Sequence, residues 1–520
     1  MSKSKVFLSS LKMALATFCS RILGLVREQV MAAYFGASGL TDAFLVAYRI
    51  PNLLRDLFAE GAFSSAFVPT FVEVNQEDPE KAKKLFWALF ILLGLLTLFL
   101  SALIIIFAPE IISLFAPTFV EDPEKFLLTV NLTKIMAPFL CFVSLAALFM
   151  GALNSLKVFF IPSLAPAFFN LAMISSMLLV PMILIPMGIP TIYSLGIGVF
   201  VGGLVQGFVQ IPMLVKKGYG WIKPDKLFTK DSKKVFKLLG PGMIGFAATQ
   251  INLIVNTVLA SGTIVGAVSW LSYAFRMFQL PVGILSVSIG NSNLVHFSDA
   301  WKKGDKEEAT KLLGGSFFLS VFLVLPPMIA LIVFNEDLIR LIFERGQFDA
   351  YATTQTALAL KWYAIGLPFY GIYKIFVPTF YAIDRQKIPV YCSIFSVGVN
   401  IIFCVQLTPI YGFEILAVGT TVSMFLNSFI QLVFIHKDLS LAWNHFFNLR
   451  LLKIVFAALV TFTFCFELNK VMPLGSSFLV DCVYTFLKLS FTVVCYGVLV
   501  FLLGERSVVL SILSKIKNRL

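Results

Sequence analysis

Apolar stretches of about 18 residues or more recur from one end of this chain to the other, long enough for a helix to cross the hydrocarbon core of a bilayer. That repetition excludes a soluble globular fold. It also excludes a membrane β-barrel, whose strands would read as alternating segments of roughly ten residues. Composition agrees: 58% of the 520 residues are hydrophobic, 13% are charged, and Phe alone occupies 55 positions. The expected class is therefore an all-α polytopic membrane protein.

Fourteen candidate spans begin near residues 7, 40, 86, 127, 159, 191, 236, 264, 314, 354, 388, 412, 452 and 478, the first, second and eighth carrying charge. The basic start resembles a signal peptide, but the apolar pattern runs on to Tyr34 without a small-residue cleavage site, so it reads as a retained first span. An even count puts both termini on one side. Of the 41 Lys and Arg residues, 28 fall in segments on the terminal side, four (Lys125, Arg340, Arg345, Lys470) on the opposite side and nine within spans. That asymmetry places both termini in the cytoplasm, and it accounts for the net charge of +13 without a nucleic-acid partner.

The richest basic stretch, KKGYGWIKPDKLFTKDSKKVFK, separates spans six and seven. It divides the chain into a lobe of six spans at 1–217, a cytoplasmic linker at 218–235, a second six-span lobe at 236–440, two further spans at 441–506 and an amphipathic cytoplasmic tail at 507–520. An internal repeat supports the division. Pro138 and Pro368 stand 230 residues apart, as do Lys157 and Lys387, and Asn170 and Asn400, while AYRIPNLL at 47–54 echoes AFRMFQLP at 274–281 and aligns Arg49 with Arg276. Transporters built from paired repeats bind substrate near the membrane midplane.

Ionisable side chains inside the spans need a reason, because each costs about 2.5–3.5 kcal/mol at the bilayer centre on insertion scales. Span one holds Arg21, Arg27 and Glu28; Thr17, Ser20, Gly24 and Arg27 share one helical stripe, as a small and polar cavity wall would. Helical spacing favours Arg21 as the partner of Glu28, with Arg27 the alternative. Span two places Asp42, Arg49, Asn52 and Asp56 at near-heptad spacing, with Arg55 and Glu60 beside them and Pro51 to bend the helix. Span eight aligns Ser269, Ser272 and Arg276. Arginine suits phosphate, since its planar fork stays charged and grips oxygens two at a time. Three arginines on different helices form a candidate diphosphate clamp. Lys134, Lys361, Lys374 and Lys488 are expected to snorkel or to line grooves.

No phosphate loop, nucleophile elbow or acid–base constellation marks an enzyme. The seven cysteines lack CxxC spacing and the three histidines are scattered, so no metal site is assigned. No cofactor is expected, and the energy should come from the membrane potential, a monovalent-cation or other ion gradient, or the substrate's own gradient.

SRILGLVRE, TDAF, PNLLRDLFAEGAFSSAFVP, SYAFRMFQLPVGIL and TFYAIDRQKIPV together resemble the lipid II flippases of the MurJ (MviN) family, in the MOP exporter superfamily. The resemblance covers essentially the whole chain. It implies fourteen transmembrane helices in two six-helix lobes plus two C-terminal helices that form a groove for a polyprenyl tail. It implies a monomer in the bacterial inner membrane that moves lipid II, an undecaprenyl-diphosphate-linked disaccharide peptide, to the outer leaflet by alternating access for cell wall synthesis. Carried over by position, Arg27, Arg55 and Arg276 hold the diphosphate. Arg21, Glu28, Asp42 and Ser269 likewise match cavity positions of the family, and Ser20, Asn52 and Glu60 join them as cavity or gating candidates from their own place in the spans. The chain departs from relatives at Phe275, Gln279 and His296, and at Asn256 and Cys404, where some members carry sodium-binding carboxylates. The alternative is an exporter in the same superfamily for another lipid-linked oligosaccharide or a drug. A cation exporter would carry acids in its cavity where this chain carries arginines.

Overall fold

The structure is a computed structural model that describes residues 3–55, 62–283, 287–439, 443–475 and 477–510, and every regular element among them is helical. The chain divides into two compact units: Met1–Ser269 with Arg345–Phe348, and Trp270–Glu344 with Asp349–Leu520.

The first unit contains α1 (Lys3–Phe35), α2 (Gly39–Arg55), α3 (Ala62–Glu77), α4 (Pro79–Ile106), α5 (Ala108–Phe115), α6 (Pro123–Met136), α7 (Phe139–Ser155), α8 (Phe160–Leu179), α9 (Pro181–Leu184), α10 (Tyr193–Phe208), α11 (Ile211–Lys216) and α12 (Lys230–Ser261). Its core is aromatic. Phe63, Phe67 and Phe71 stack along α3 and meet Phe86, Phe149, Tyr219 and Val235. α10 packs tightly on α7 and α8 because Gly202 and Gly203 bring its backbone against Phe169 and Phe139. The linker lies strapped to this unit. Tyr219 Oη donates to Asn75 (2.6 Å), Trp87 Nε1 donates to the Gly220 carbonyl (2.9 Å), and Lys84 pairs with Asp225 (2.6 Å).

The chain continues with α13 (Ala267–Pro281), whose first three residues belong to the first unit, and the second unit goes on through α14 (Val287–Lys302), α15 (Lys306–Val333), α16 (Asn335–Phe343), α17 (Ala350–Ile365), α18 (Leu367–Ala382), α19 (Lys387–Tyr411), α20 (Glu414–Leu439), α21 (Leu449–Val471) and α22 (Phe478–Leu502). α12, which opens the second repeat in sequence, packs on α3 and α4 and so groups with the first unit.

The repeat is deeper than the proline and asparagine landmarks suggest. Asp78 caps α4 and Asp305 caps α15; Asp122 caps α6 and Asp349 caps α17, each carboxylate accepting a first-turn backbone N–H. Both pairs keep the same spacing as Arg49 and Arg276. α4 and α15 are each 28 residues long, and each breaks at a phenylalanine, Phe107 or Phe334, before a short helix.

Among the described residues, nine helices are long and apolar enough to cross a membrane: Pro79–Ile106, Pro123–Ser155, Phe160–Met187, Tyr193–Lys216, Lys306–Val333, Lys387–Tyr411, Glu414–Leu439, Leu449–Val471 and Phe478–Leu502. Helices also occupy the five remaining sites of the fourteen expected spans. Of these, α1 is long but charged, and α2, α13 and α17 run only 15 to 17 residues.

Candidate functional site: an arginine cluster on α1 and α2

α1 is one unbroken helix that lies along α8. Asn170 on α8 donates its amide to the Ser20 carbonyl at 3.1 Å. Gly24 lies beside this contact, where a Cβ would meet the same amide nitrogen at 3.4 Å, an ordinary packing distance. Part of the small, polar stripe is therefore a packing face against α8. Thr17 is exposed and returns its hydroxyl to the Met13 carbonyl at 2.9 Å.

At the other end of the stripe, Arg27 donates to Glu28 and lies over the Phe169 ring, 5.9 Å from its centroid. Arg27 and Glu28 side chains are 14% and 8% exposed. The expected Glu28–Arg21 pair is thus replaced by a Glu28–Arg27 pair. A spacing of i,i+7 separates side chains by two full turns, about 10 Å along the axis, and Arg21 is exposed instead. Arg27 also lies within electrostatic range of Tyr48 and Arg55, both on α2. Arg55 is the weakest of the influences on Arg27, and the Glu28 carboxylate holds the Arg27 guanidinium in place. Pro51 lies inside α2, where it removes one helical hydrogen bond just before Asn52 and Arg55. Asn52 and Arg55 are half-buried. Tyr48 and Phe169 were not singled out from the sequence, since aromatic residues are too common in this chain to stand out.

Asp42 and Ser269 meet, but not as lining of an open cavity. Asp42 is 2% exposed; it accepts from the Gly266 N–H (2.6 Å), the Ser269 N–H (2.9 Å) and the Ser269 hydroxyl (2.6 Å). The first turn of a helix leaves N–H groups without intrahelical partners, and α13 finds its acceptor on α2 rather than in its own sequence. The carboxylate also suits the positive end of the α13 dipole. Thr41, beside it, donates to the Gly36 carbonyl at 2.9 Å and so secures the turn between α1 and α2.

Arg276 is exposed on α13, within the second unit. Glu60 and Asp56 lie outside the described residues. Lys488 contradicts its expected snorkelling. It is completely buried and donates to Asp337 and to Asn469 Oδ1 (2.7 Å), because the helix that carries it faces other helices at that point. Cys404 is buried, and its thiol donates to Asn400 Oδ1 (3.4 Å).

This helical arrangement is the fold of the MOP-superfamily transporters. An inward-facing multidrug transporter of the MATE family superposes with a TM-score of 0.66 at 14% identity, covering 81% of this chain and 94% of that one. A family model described as lipid II flippase MurJ matches residues 31–485, and the chain belongs to that family. The lipid II flippase MurJ of Burkholderia cenocepacia is 36% identical over 459 residues, 85% of this chain and 86% of that protein. The probable lipid II flippase MurJ of Buchnera aphidicola subsp. Acyrthosiphon pisum is 33% identical over 438 residues, 82% of this chain and 83% of that protein. A solved lipid II flippase MurJ in an inward closed conformation superposes with a TM-score of 0.80 at 26% identity, covering 95% of this chain and 99% of that one.

Proposed function

We propose that this protein flips lipid II from the inner to the outer leaflet of the bacterial cytoplasmic membrane for peptidoglycan synthesis, acting as a transporter and not an enzyme. The observation that carries the site assignment is the pair of like charges on α1 and α2. Arg27 and Arg55 lie within electrostatic range of one another, and a diphosphate would answer both charges while offering several oxygens to two planar forks. Arg276 is the third arm of the clamp. Glu28 holds Arg27 until substrate arrives and then yields it to phosphate.

In this reading all fourteen helices span the membrane, both termini are cytoplasmic, and residues 1–217 and 236–440 are the two lobes joined by the linker at 218–235. Residues 441–506 carry the polyprenyl tail, while most of the amphipathic tail expected at 507–520 lies outside the described residues. The protein works as a monomer without a cofactor, and the membrane potential or a monovalent cation drives the cycle. Alternate exposure of the arginine site to the two faces moves the head group while the tail remains in lipid.

The test is depletion in a living cell followed by complementation. Loss of the protein should accumulate lipid-linked precursor in the inner leaflet, and Arg27→Ala or Arg276→Ala should fail to restore flux. A normal leaflet distribution after depletion overturns the function. Normal flipping by both variants overturns the clamp while leaving the function standing.

A further inference from the structure

α22 turns its polar side inward. Asp481, Thr485, Lys488, Thr492 and Tyr496 recur every three or four residues along it and all are buried, while Leu479, Val483, Phe486, Val494 and Val498 face outward. In a bilayer, lipid competes equally well for apolar surfaces, so polar contacts and close packing hold helices together. The strongest polar contact on this stripe belongs to Lys488, which is wholly buried. Its ammonium donates to Asp337 on α16 and to Asn469 on α21, and sits 5.4 Å from the Phe334 ring centroid. Asn469 completes the junction by donating to the Val333 carbonyl at the end of α15 (3.3 Å). Four helices therefore converge on one buried cation. The loop above it is closed by Asp481, which accepts the Gly475 N–H at 2.9 Å.

The internal repeat shows what is particular to this place. The spacing that matches Asp305 with Asp78 and Phe334 with Phe107 matches Asp337 with Glu110 on α5. Glu110 is exposed. An acid occurs at this position in both repeats, and in the second it meets a lysine from the added helices.

The geometry points to Lys488, Asp337 and Asn469 as a lock that fixes α21 and α22 in register on α15 and α16, so that they act as a fixed part of the second unit. This rests on the lipid-carrier reading above and deepens it: Lys488 and Asp337 are positioning residues for the long apolar tail of the substrate and leave its diphosphate head untouched. The lock is a property of the chain itself, whichever lipid it serves.

The experiment uses the full-length protein in nanodiscs. Asp337→Asn, Lys488→Met and the charge-exchanged double variant Asp337→Lys/Lys488→Glu are compared with wild type in binding a C55 and a C15 prenyl diphosphate. Hydrogen–deuterium exchange is followed along residues 449–502. Each single variant should lose about tenfold in C55 affinity with C15 affinity unchanged, and should exchange faster along α21 and α22. The double variant should recover toward wild type in both respects. Unchanged exchange in the single variants overturns the lock. Equal loss for both chain lengths overturns the positioning role, since it signals general damage. If wild type binds neither lipid, the carrier reading fails and the exchange data alone decide the lock.

Discussion

Gln347 donates its backbone N–H to the Ala33 carbonyl at 2.9 Å, and a glycine near each partner makes the contact possible. Gly346 lies against the Ala33 carbonyl and Gly36 against the Gln347 carbonyl, so that a Cβ on either would overlap backbone. Both also take positive φ, 60° and 64°. Each glycine is thus required twice, for conformation and for space. Gly188 offers a control, with φ of 68° and nothing within 4 Å of where a Cβ would stand. Gly188→Ala should cost only the left-handed penalty of about 1–2 kcal/mol. Gly36→Ala and Gly346→Ala should cost more, with earlier thermal unfolding in detergent and faster hydrogen exchange at Gln347. Equal effects at all three positions would show that the contact contributes nothing.

The Asp42 carboxylate serves three donors at the start of α13. Asp42→Ala leaves them without an acceptor in a buried place, and removing one buried partner costs about 1–3 kcal/mol. Ser269→Ala removes one donor and keeps the two backbone bonds, so it should cost about 1 kcal/mol. Chemical denaturation in detergent measures the order Asp42→Ala worse than Ser269→Ala. The reverse order would assign the stabilisation to the hydroxyl and not to the helix cap.

The all-helical membrane fold class was legible because hydropathy runs are properties of long windows. The repeat was legible only in part. Pro138 with Pro368 and Asn170 with Asn400 stood out, whereas the N-cap aspartates at 78, 122, 305 and 349 did not, although DPEK recurs in the sequence at 78 and 122. Pairings were the least legible layer. Helical spacing favoured Arg21 for Glu28, but adjacent side chains can meet when a neighbouring helix, here α8 with Phe169, confines the arginine. The burial of Lys488 depends on partners 151 and 19 residues away, which no local pattern encodes. Its signal was the polar stripe from Asp481 to Tyr496 on an otherwise apolar helix.

The linker carries a pH-dependent contribution through Tyr219. Burial pushes its phenol from the usual 10 up to about 12, and its hydroxyl donates to Asn75. In the unfolded chain the phenol ionises first, so the folded state is favoured in full below about pH 10. That advantage is lost as pH rises through about 12. Wild-type stability should therefore fall more steeply between those pH values than that of Tyr219→Phe, which has no phenol to ionise. Parallel alkaline profiles, read by thermal unfolding, would remove Tyr219 from the account.

Arg27 cannot grip phosphate and Glu28 with the same nitrogen at once, so the two acceptors compete. Glu28→Gln keeps a neutral oxygen in place and removes the charge that holds Arg27. A charge-assisted hydrogen bond is worth about 1.5–3 kcal/mol against about 1 for a neutral one, and the difference returns to the substrate. Affinity for a prenyl diphosphate should rise by roughly two- to thirtyfold, while flipping slows because release becomes harder. Arg27→Lys keeps the charge but loses the fork, and should weaken binding by about tenfold. Calorimetric titration of the purified protein separates these outcomes. Weaker binding in Glu28→Gln would mean that Glu28 orients Arg27 toward the substrate and does not compete for it.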